Sequence, residues 1–250
     1  MPALTPKRTS MRSRIAIAPV LYGQDVRAVH QSADLARDRR PLPPVRAGGA
    51  GAQPPRPVQI CPTDPIDAVV ERDGRRDLVP MRWGLVPSWW KRPLKDFKIA
   101  TFNARAETVE SRAMFRNPFR QKRCLIPASG YYEWESTPTG KQPYYFTTEN
   151  GSPLTIAGLW DEWRDVETGE PLQSCTMIIT EANDFVRKIH DRMPALLTPN
   201  QFDPWLSGSA GLELLTPWTQ RSLQMWPVSR RVNSSRAPVD DPTLVDEVHT

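Results

Sequence analysis

The chain has 250 residues, 39% of them hydrophobic, enough for one large domain or two small ones with a real core. No run of about 18 apolar residues is present to span a membrane, the N-terminus lacks a secretory core, and three cysteines without CxxC spacing (Cys61, Cys124, Cys175) argue for a reducing cytosol. The net charge of +5 is unevenly spread: residues 1–57 hold ten Lys/Arg against three Asp/Glu, so subtraction from 33 and 28 leaves the remainder at about −2.

Residues 1–57 include "PLPPVRAGGAGAQPPRP", which has neither helical nor strand period and reads as a disordered leader or linker. From about Gln59 the pattern changes, and 58–250 reads as one domain. "DAVVE" and "RDLVPMRWGLV" are expected strands around an Asp73-Gly74 turn. "AETVESRAMFRNPFR" has helical spacing, with a stop near Pro118. "RCLIPASGYYEWE" reads as two short strands punctuated by Pro127 and Ser129-Gly130. "KQPYYFTTENGSPLTIAGLWDEW" reads as a hairpin with Asn150-Gly151 at its tip. "QSCTMIITEAN" reads as a buried strand and "NDFVRKI" as a short helix. "TPNQFDPWL" and "GLELLTPW" suggest a helical pair, and "MWPVSRRVNSS" a late strand. Short strands dominate without βαβ alternation, so the expected fold is α+β: a curved, barrel-like antiparallel sheet with peripheral helices.

Residues 82–123 carry eleven Lys/Arg against Asp96, Glu107 and Glu110, which makes this block the better candidate for an anion-binding face. In "MRWGLVPSWWKRPLKDFK", Trp83, Trp89 and Trp90 are interleaved with Arg82, Lys91, Arg92, Lys95 and Lys98. Aromatic faces stack on unpaired bases while cations neutralise phosphate; the alternative is core tryptophans beside solvated lysines. In "FNARAETVESR", Asn103 and Arg105 lie two apart and project to one side of an extended segment, where an amide and a guanidinium can hold a sugar hydroxyl and a phosphate. The alternative is a turn asparagine and a surface ion pair with Glu107. Glu133 sits among aromatics in "SGYYEWE", surroundings that raise a carboxyl pKa toward acid–base use; alternation alone does not decide whether Glu133 or Glu135 points inward. His190, in "KIHDRMPALL", taken singly reads as a structural histidine. Three scattered histidines make no zinc site.

In order along the chain, "MRWGLVPSWW", "FNARAETV", "RCLIPASGYYEWE", "PYYF", "AGLWDEW", "TEAN", "IHDRMPALL" and "VSRRVNSSR" together resemble the SOS-response-associated peptidase family, the abasic-site processing proteins, over about residues 59–248. The resemblance implies a monomeric, bacterial, cytoplasmic protein that binds single-stranded DNA in a positive groove. It implies a covalent crosslink to abasic sites as part of the DNA-damage response, with no metal or organic cofactor. In the family the cysteine after the initiator methionine, in a "MCGR" start, attacks the ring-opened sugar through its amine and thiol and closes a thiazolidine. The Schiff base on that route implies AP-lyase activity, and autocatalytic peptide cleavage is ascribed to the same cysteine. Carried over by motif, Asn103 and Arg105 would hold the nucleophile end and the phosphate beside the lesion. Glu133 would shuttle protons, His190 would serve the opened sugar hydroxyl, and Asp191 and Arg192 would fix that turn and approach DNA. Trp89 and Trp90 match a stacking wedge, and Arg82, Arg105, Arg112 and Arg192 complete the expected DNA contacts.

The chain departs from the family at its start, "MPALTPKRTSMRSRIAIAP", which holds no cysteine. The codons of Met11-Arg-Ser-Arg14, shifted by one base, can read Cys-Gly-Arg, so residues 1–57 are read as a frameshifted product. Other readings are a DNA binder that has lost its nucleophile, iminium chemistry at Pro2, and a thiol peptidase using Cys61 or Cys124.

Overall fold

The β-branched run of "PIDAVVER" and the alternating "RRDLVPMRW" form strands β2 (Pro65–Arg72) and β3 (Arg75–Trp83). Asp73 and Gly74, both at positive φ (51° and 71°), make the tight turn between them, as expected from the sequence. The computed structural model describes residues 16–19, 58–220, 222–234 and 240–249. Of the stretch 1–57, only β1 (Ala16–Pro19) falls within the described residues.

The other strands are β4 (Asn103–Arg105), β5 (Arg123–Thr137), β6 (Gly140–Thr148), β7 (Leu154–Arg164), β8 (Pro171–Glu181), β9 (Arg192–Pro194) and β10 (Leu223–Pro227). β2 pairs β3, β3 pairs β8, β8 pairs β7, β7 pairs β5, and β5 returns to β2 through Leu125↔Val69. That ring is a closed five-stranded barrel, which bears out the expected barrel-like sheet with few helices. Most pairs are antiparallel; β3 and β4 run parallel to β8 along its other edge.

Two cores follow from strand alternation. Val70, Met81, Trp83, Cys124, Ile126, Cys175 and Met177 fill the barrel. Val69, Leu125, Leu159 and Ile178 face outward against Phe119 of α1 (Arg116–Gln121) and Trp205 of α2 (Phe202–Ser207). Arg123 fastens both helices: its guanidinium donates to the Phe119, Trp205 and Ala210 carbonyls and lies over the Trp205 ring at 4.5 Å.

Four local expectations are corrected. "RCLIPASGYYEWE" lies within one fifteen-residue strand, β5, not two. β6 and β7 do not form a hairpin about Asn150-Gly151; they lie end to end along one edge of β5. The hairpin is β5–β6, closing at Thr137↔Gly140, because Gly140 takes a φ of 115° that favours glycine. The helix predicted across 106–120 is a 3-10 turn at Ala106–Thr108 followed by α1. Pro118 sits in the first turn of α1, where its missing N–H costs nothing, and so starts a helix rather than stopping one. After β10, "RRVN" is a 3-10 turn rather than strand.

Candidate active site

β5 changes face halfway along. Cys124, Ile126 and Ala128 point into the barrel, but so does Tyr131, which requires a one-residue slip. The β1–β5 register breaks at that place: Ala18 faces Gly130 while Pro19 faces Ala128, leaving Ser129 as the extra residue. Gly130 is needed there, since a Cβ would run into the Phe146 carbonyl and the Tyr145 ring. The bulge puts Tyr131, Glu133 and Glu135 on the inward side and Tyr132 and Trp134 on a separate core with Val228 and Val232. Glu133 is only 2% exposed, whereas Glu135 is half-buried and accepts from the Tyr144 hydroxyl at 3.2 Å.

Burial raises the Glu133 carboxyl to about 8, assisted by the nearby Asp191 charge and opposed by its hydrogen bond with the Trp134 backbone and by Lys141. His190 Nδ1 lies 3.9 Å from Glu133 Oε1 and 3.2 Å from Asp191 Oδ1. The Arg192 amide donates to His190 Nδ1 at 3.1 Å, so in neutral imidazole the proton belongs on Nε2. Burial lowers the His190 pKa from its ordinary value, against the raising effect of Asp191. At neutral pH the pair is therefore a carboxylic acid facing a neutral imidazole, not an ion pair.

β8 carries the rest of the site to this end of the barrel. β4 pairs one of its edges, Asn103↔Met177 to Arg105↔Ile179, and β9 pairs the other, Ile179↔Pro194 to Glu181↔Arg192. Ala104 is buried with the outer core, so Asn103 and Arg105 project together to the opposite side, the side of Met177 and Ile179. Asn103 Oδ1 is buried with no hydrogen-bond partner, and so is the Tyr131 hydroxyl on the Glu133 face. Buried polar atoms of this kind are ordinarily satisfied, so each is a candidate contact for another group. Arg105 is exposed; Arg192 is held at 2.5 Å by Glu107, which ties β9 to the turn after β4.

Arg82 sits at the other end of β8, opposite Ser174, folded back onto the Gly84 carbonyl. Trp89 is 49% exposed, while Trp90 packs on Phe97 at 5.2 Å and accepts from the Trp163 indole at 2.7 Å. Arg112 is exposed. Of the basic block, Lys122 is paired with Asp161 at 2.6 Å and Arg123 is buried, so neither is offered to a ligand. Lys141, whose charge reaches both Glu133 and His190, gave no signal in the sequence; its place depends on the β5–β6 register.

The model of one family, "SOS response associated peptidase (SRAP)", matches residues 27–235. The chain belongs to the SRAP family. It is 35% identical over 183 residues to the abasic site processing protein YoaM of Bacillus subtilis, covering 71% of this chain and 79% of YoaM. It is 36% identical over 188 residues to the abasic site processing protein HMCES of Gallus gallus, covering 64% of this chain and 55% of HMCES. Among solved structures, a protein from Bacteroides thetaiotaomicron superposes with a TM-score of 0.69 at 27% identity, over 77% of this chain and 85% of that one. A protein from Bordetella bronchiseptica gives 0.67 at 26% identity, over 86% and 99%. The SRAP match begins at residue 27, inside the stretch whose composition set it apart from the rest of the chain.

Proposed function

We propose that this chain is an abasic-site processing protein that binds single-stranded DNA and, given an N-terminal cysteine, crosslinks to the aldehyde of a ring-opened abasic sugar. The observation that carries this reading is the buried Glu133 carboxyl facing His190 at 3.9 Å, in surroundings that favour the neutral form of both groups. Addition of an amine to an aldehyde gives a carbinolamine, and loss of water from it gives an imine. The first step needs a base for the N–H proton and the second an acid for the leaving hydroxyl. A protonated carboxyl closes both steps: it gives its proton to the aldehyde oxygen while its second oxygen takes the N–H proton, and the acid so restored protonates the hydroxyl that leaves as water. In this reading His190 Nε2–H would hydrogen-bond the sugar hydroxyl, and Asn103 Oδ1 would accept from the attacking amine. Lyase and peptidase outcomes would draw on the same groups. Arg105 and Arg112 would hold phosphates, Arg192 would do so only on release from Glu107, and Trp89 would stack on a base. Arg82 would serve the strand only at the far end of β8.

The two buried thiols do not replace the family nucleophile. Cys124 and Cys175 are fully buried, and burial pushes the Cys124 thiol well up and that of Cys175 to about 12. A thiol peptidase built on Cys124 is therefore disfavoured. β1 enters the sheet with Ala16 opposite Tyr132, one position short of Glu133. Shortly before Ala16 come residues 11–14, "MRSR", whose codons can read Cys-Gly-Arg when shifted by one base. This supports reading the family's cysteine as belonging beside Glu133 and lost from the chain by a frameshift, which resequencing the start of the gene tests.

A denaturing gel with an abasic single-stranded oligonucleotide tests the function. The chain as read should bind without a heat-stable band. A version carrying Met-Cys-Gly-Arg directly before Ile15 should give the band without reductant. Failure of both versions to bind DNA would refute the reading.

A further inference from the structure

The "VSRRVN" motif has no part in the site above, yet it is wired into the β5–β6 hairpin. Arg230 donates from Nε to Gln142 Oε1 at 3.2 Å, from Nη1 to the Thr139 carbonyl at 3.3 Å, and from Nη2 to Thr139 Oγ1 at 3.0 Å. Gln142 is itself buried and donates to the Val228 and Pro143 carbonyls, so its oxygen is presented to Arg230 in a fixed position. Asn233 bridges the same hairpin: its amide donates to the Lys141 carbonyl at 3.0 Å and its oxygen accepts from the Trp134 indole at 2.6 Å.

All of these acceptors are neutral. Arg230 is exposed and fixed by three hydrogen bonds, yet among the described residues no carboxylate offsets its charge. Lys141 is likewise exposed and donates to Ser136 Oγ at 2.6 Å, with no carboxylate pair among the described residues. The adjacent Arg231 differs, since Asp241 at 2.6 Å neutralises it. An ordinary surface arginine gains by meeting a carboxylate; one immobilised on neutral oxygens keeps its full charge for something else.

The position fits a DNA strand. Gln142 lies two residues along β6 from Tyr144, the register partner of Glu133, which is about 7 Å of strand. Lys141 is close enough for its charge to lower the pKa of both Glu133 and His190. Arg105 and Arg192 belong to β4 and β9, on either edge of β8, whereas this hairpin leaves the site along β5 and β6. We infer that Lys141 and Arg230 form a second phosphate-binding edge, which takes the backbone on one flank of the lesion while Arg105 and Arg112 take the other. The inference rests on the DNA-binding reading above.

Equilibrium binding of abasic single-stranded oligonucleotides at several salt concentrations tests it. Each phosphate contact contributes about 0.7 to the slope of log K against log salt for a single strand. Lys141→Gln leaves the Arg230 network intact and should flatten the slope by about 0.7. Adding Arg230→Gln should flatten it by about 1.4 in all, and Arg230→Lys guards against a folding defect by keeping the charge and most of the affinity. Oligonucleotides with the lesion near one end or the other should show the loss for one flank only. A parent protein that binds DNA while the variants keep its slope on both flanks would overturn the inference alone. A parent that binds no DNA would overturn the underlying reading with it.

Discussion

Glu133 and His190 hold their protons in the reverse of the order they keep in water, where a carboxyl is the stronger acid. Burial acts on both, but it penalises the charged form, which is the deprotonated state of one and the protonated state of the other. The sign of the stability effect follows. With the folded-state pKa raised from 4.5 to about 8, the Glu133 contribution is fully present below about 4.5 and is lost as pH rises toward 8. Glu133→Gln removes that dependence. It should therefore melt increasingly above the parent as pH goes from about 5 to about 8.5, in parallel thermal melts; parallel curves would mean that the carboxyl is not held protonated. His190 acts in the opposite sense, since a lowered pKa gives stability above its ordinary 6.5 that is lost as pH falls. In a cysteine-bearing version, the crosslinking step that needs the acid form of Glu133 should slow above about pH 8. Glu133→Gln should lose roughly 10²–10⁴ in rate with a flat alkaline limb, as measured by quenched-gel time courses.

At the scale of the element, the site depends on the bulge in β5. Without Ser129 as an extra residue, the parity set by Cys124, Ile126 and Ala128 would carry Tyr132 and Trp134 into the barrel and turn Glu133 outward. Gly130→Ala should destabilise the fold by about 1–3 kcal/mol through overpacking against the Phe146 carbonyl and the Tyr145 ring. It should also weaken acid–base function more than Ser129→Ala does, as read by denaturant unfolding and crosslinking rate together. The same bulge explains what the sequence could and could not reveal. The β2–β3 hairpin was legible because Asp73-Gly74 is a strong local signal between alternating strands. The β8 strand was legible from its apolar run. The inward choice between Glu133 and Glu135 was not, because both share one parity and only depth along the strand separates them. Asn150-Gly151 has the chemistry of a hairpin tip but serves as a corner, since β6 and β7 share an edge of β5; partner choice is a non-local property. His190 entered the site only through an order of motifs along the chain, as its single-residue signal was weak.

At the scale of the whole molecule, formal charge overstates the cations free to meet a polyanion, because several cations of the basic block are already engaged. Lys122 is paired with the 2%-exposed Asp161 and lies over the Trp160 ring at 5.3 Å, and Arg123 is committed to three carbonyls. Arg92 faces Asp96 at 3.3 Å and Lys95 faces Glu167 at 3.5 Å, both exposed pairs of the kind worth little. Among the described residues Arg105, Arg112, Arg116 and Arg120 lie exposed without a carboxylate partner. These cations keep their counterions in free solution, and releasing those counterions is what gives DNA affinity its salt dependence. The two classes should separate in one experiment. Arg112→Gln should weaken binding to any single-stranded sequence alike and flatten the salt slope by about 0.7. Lys122→Gln should leave the slope unchanged and lower the melting temperature instead, because it leaves the buried Asp161 carboxylate with its Ser88 and Glu162 amide donors but without a cation. Equal slopes for both variants would mean that DNA engages a face other than the one carrying Arg112, and a slope change confined to Lys122→Gln would mean that the Asp161 pair opens to admit the strand.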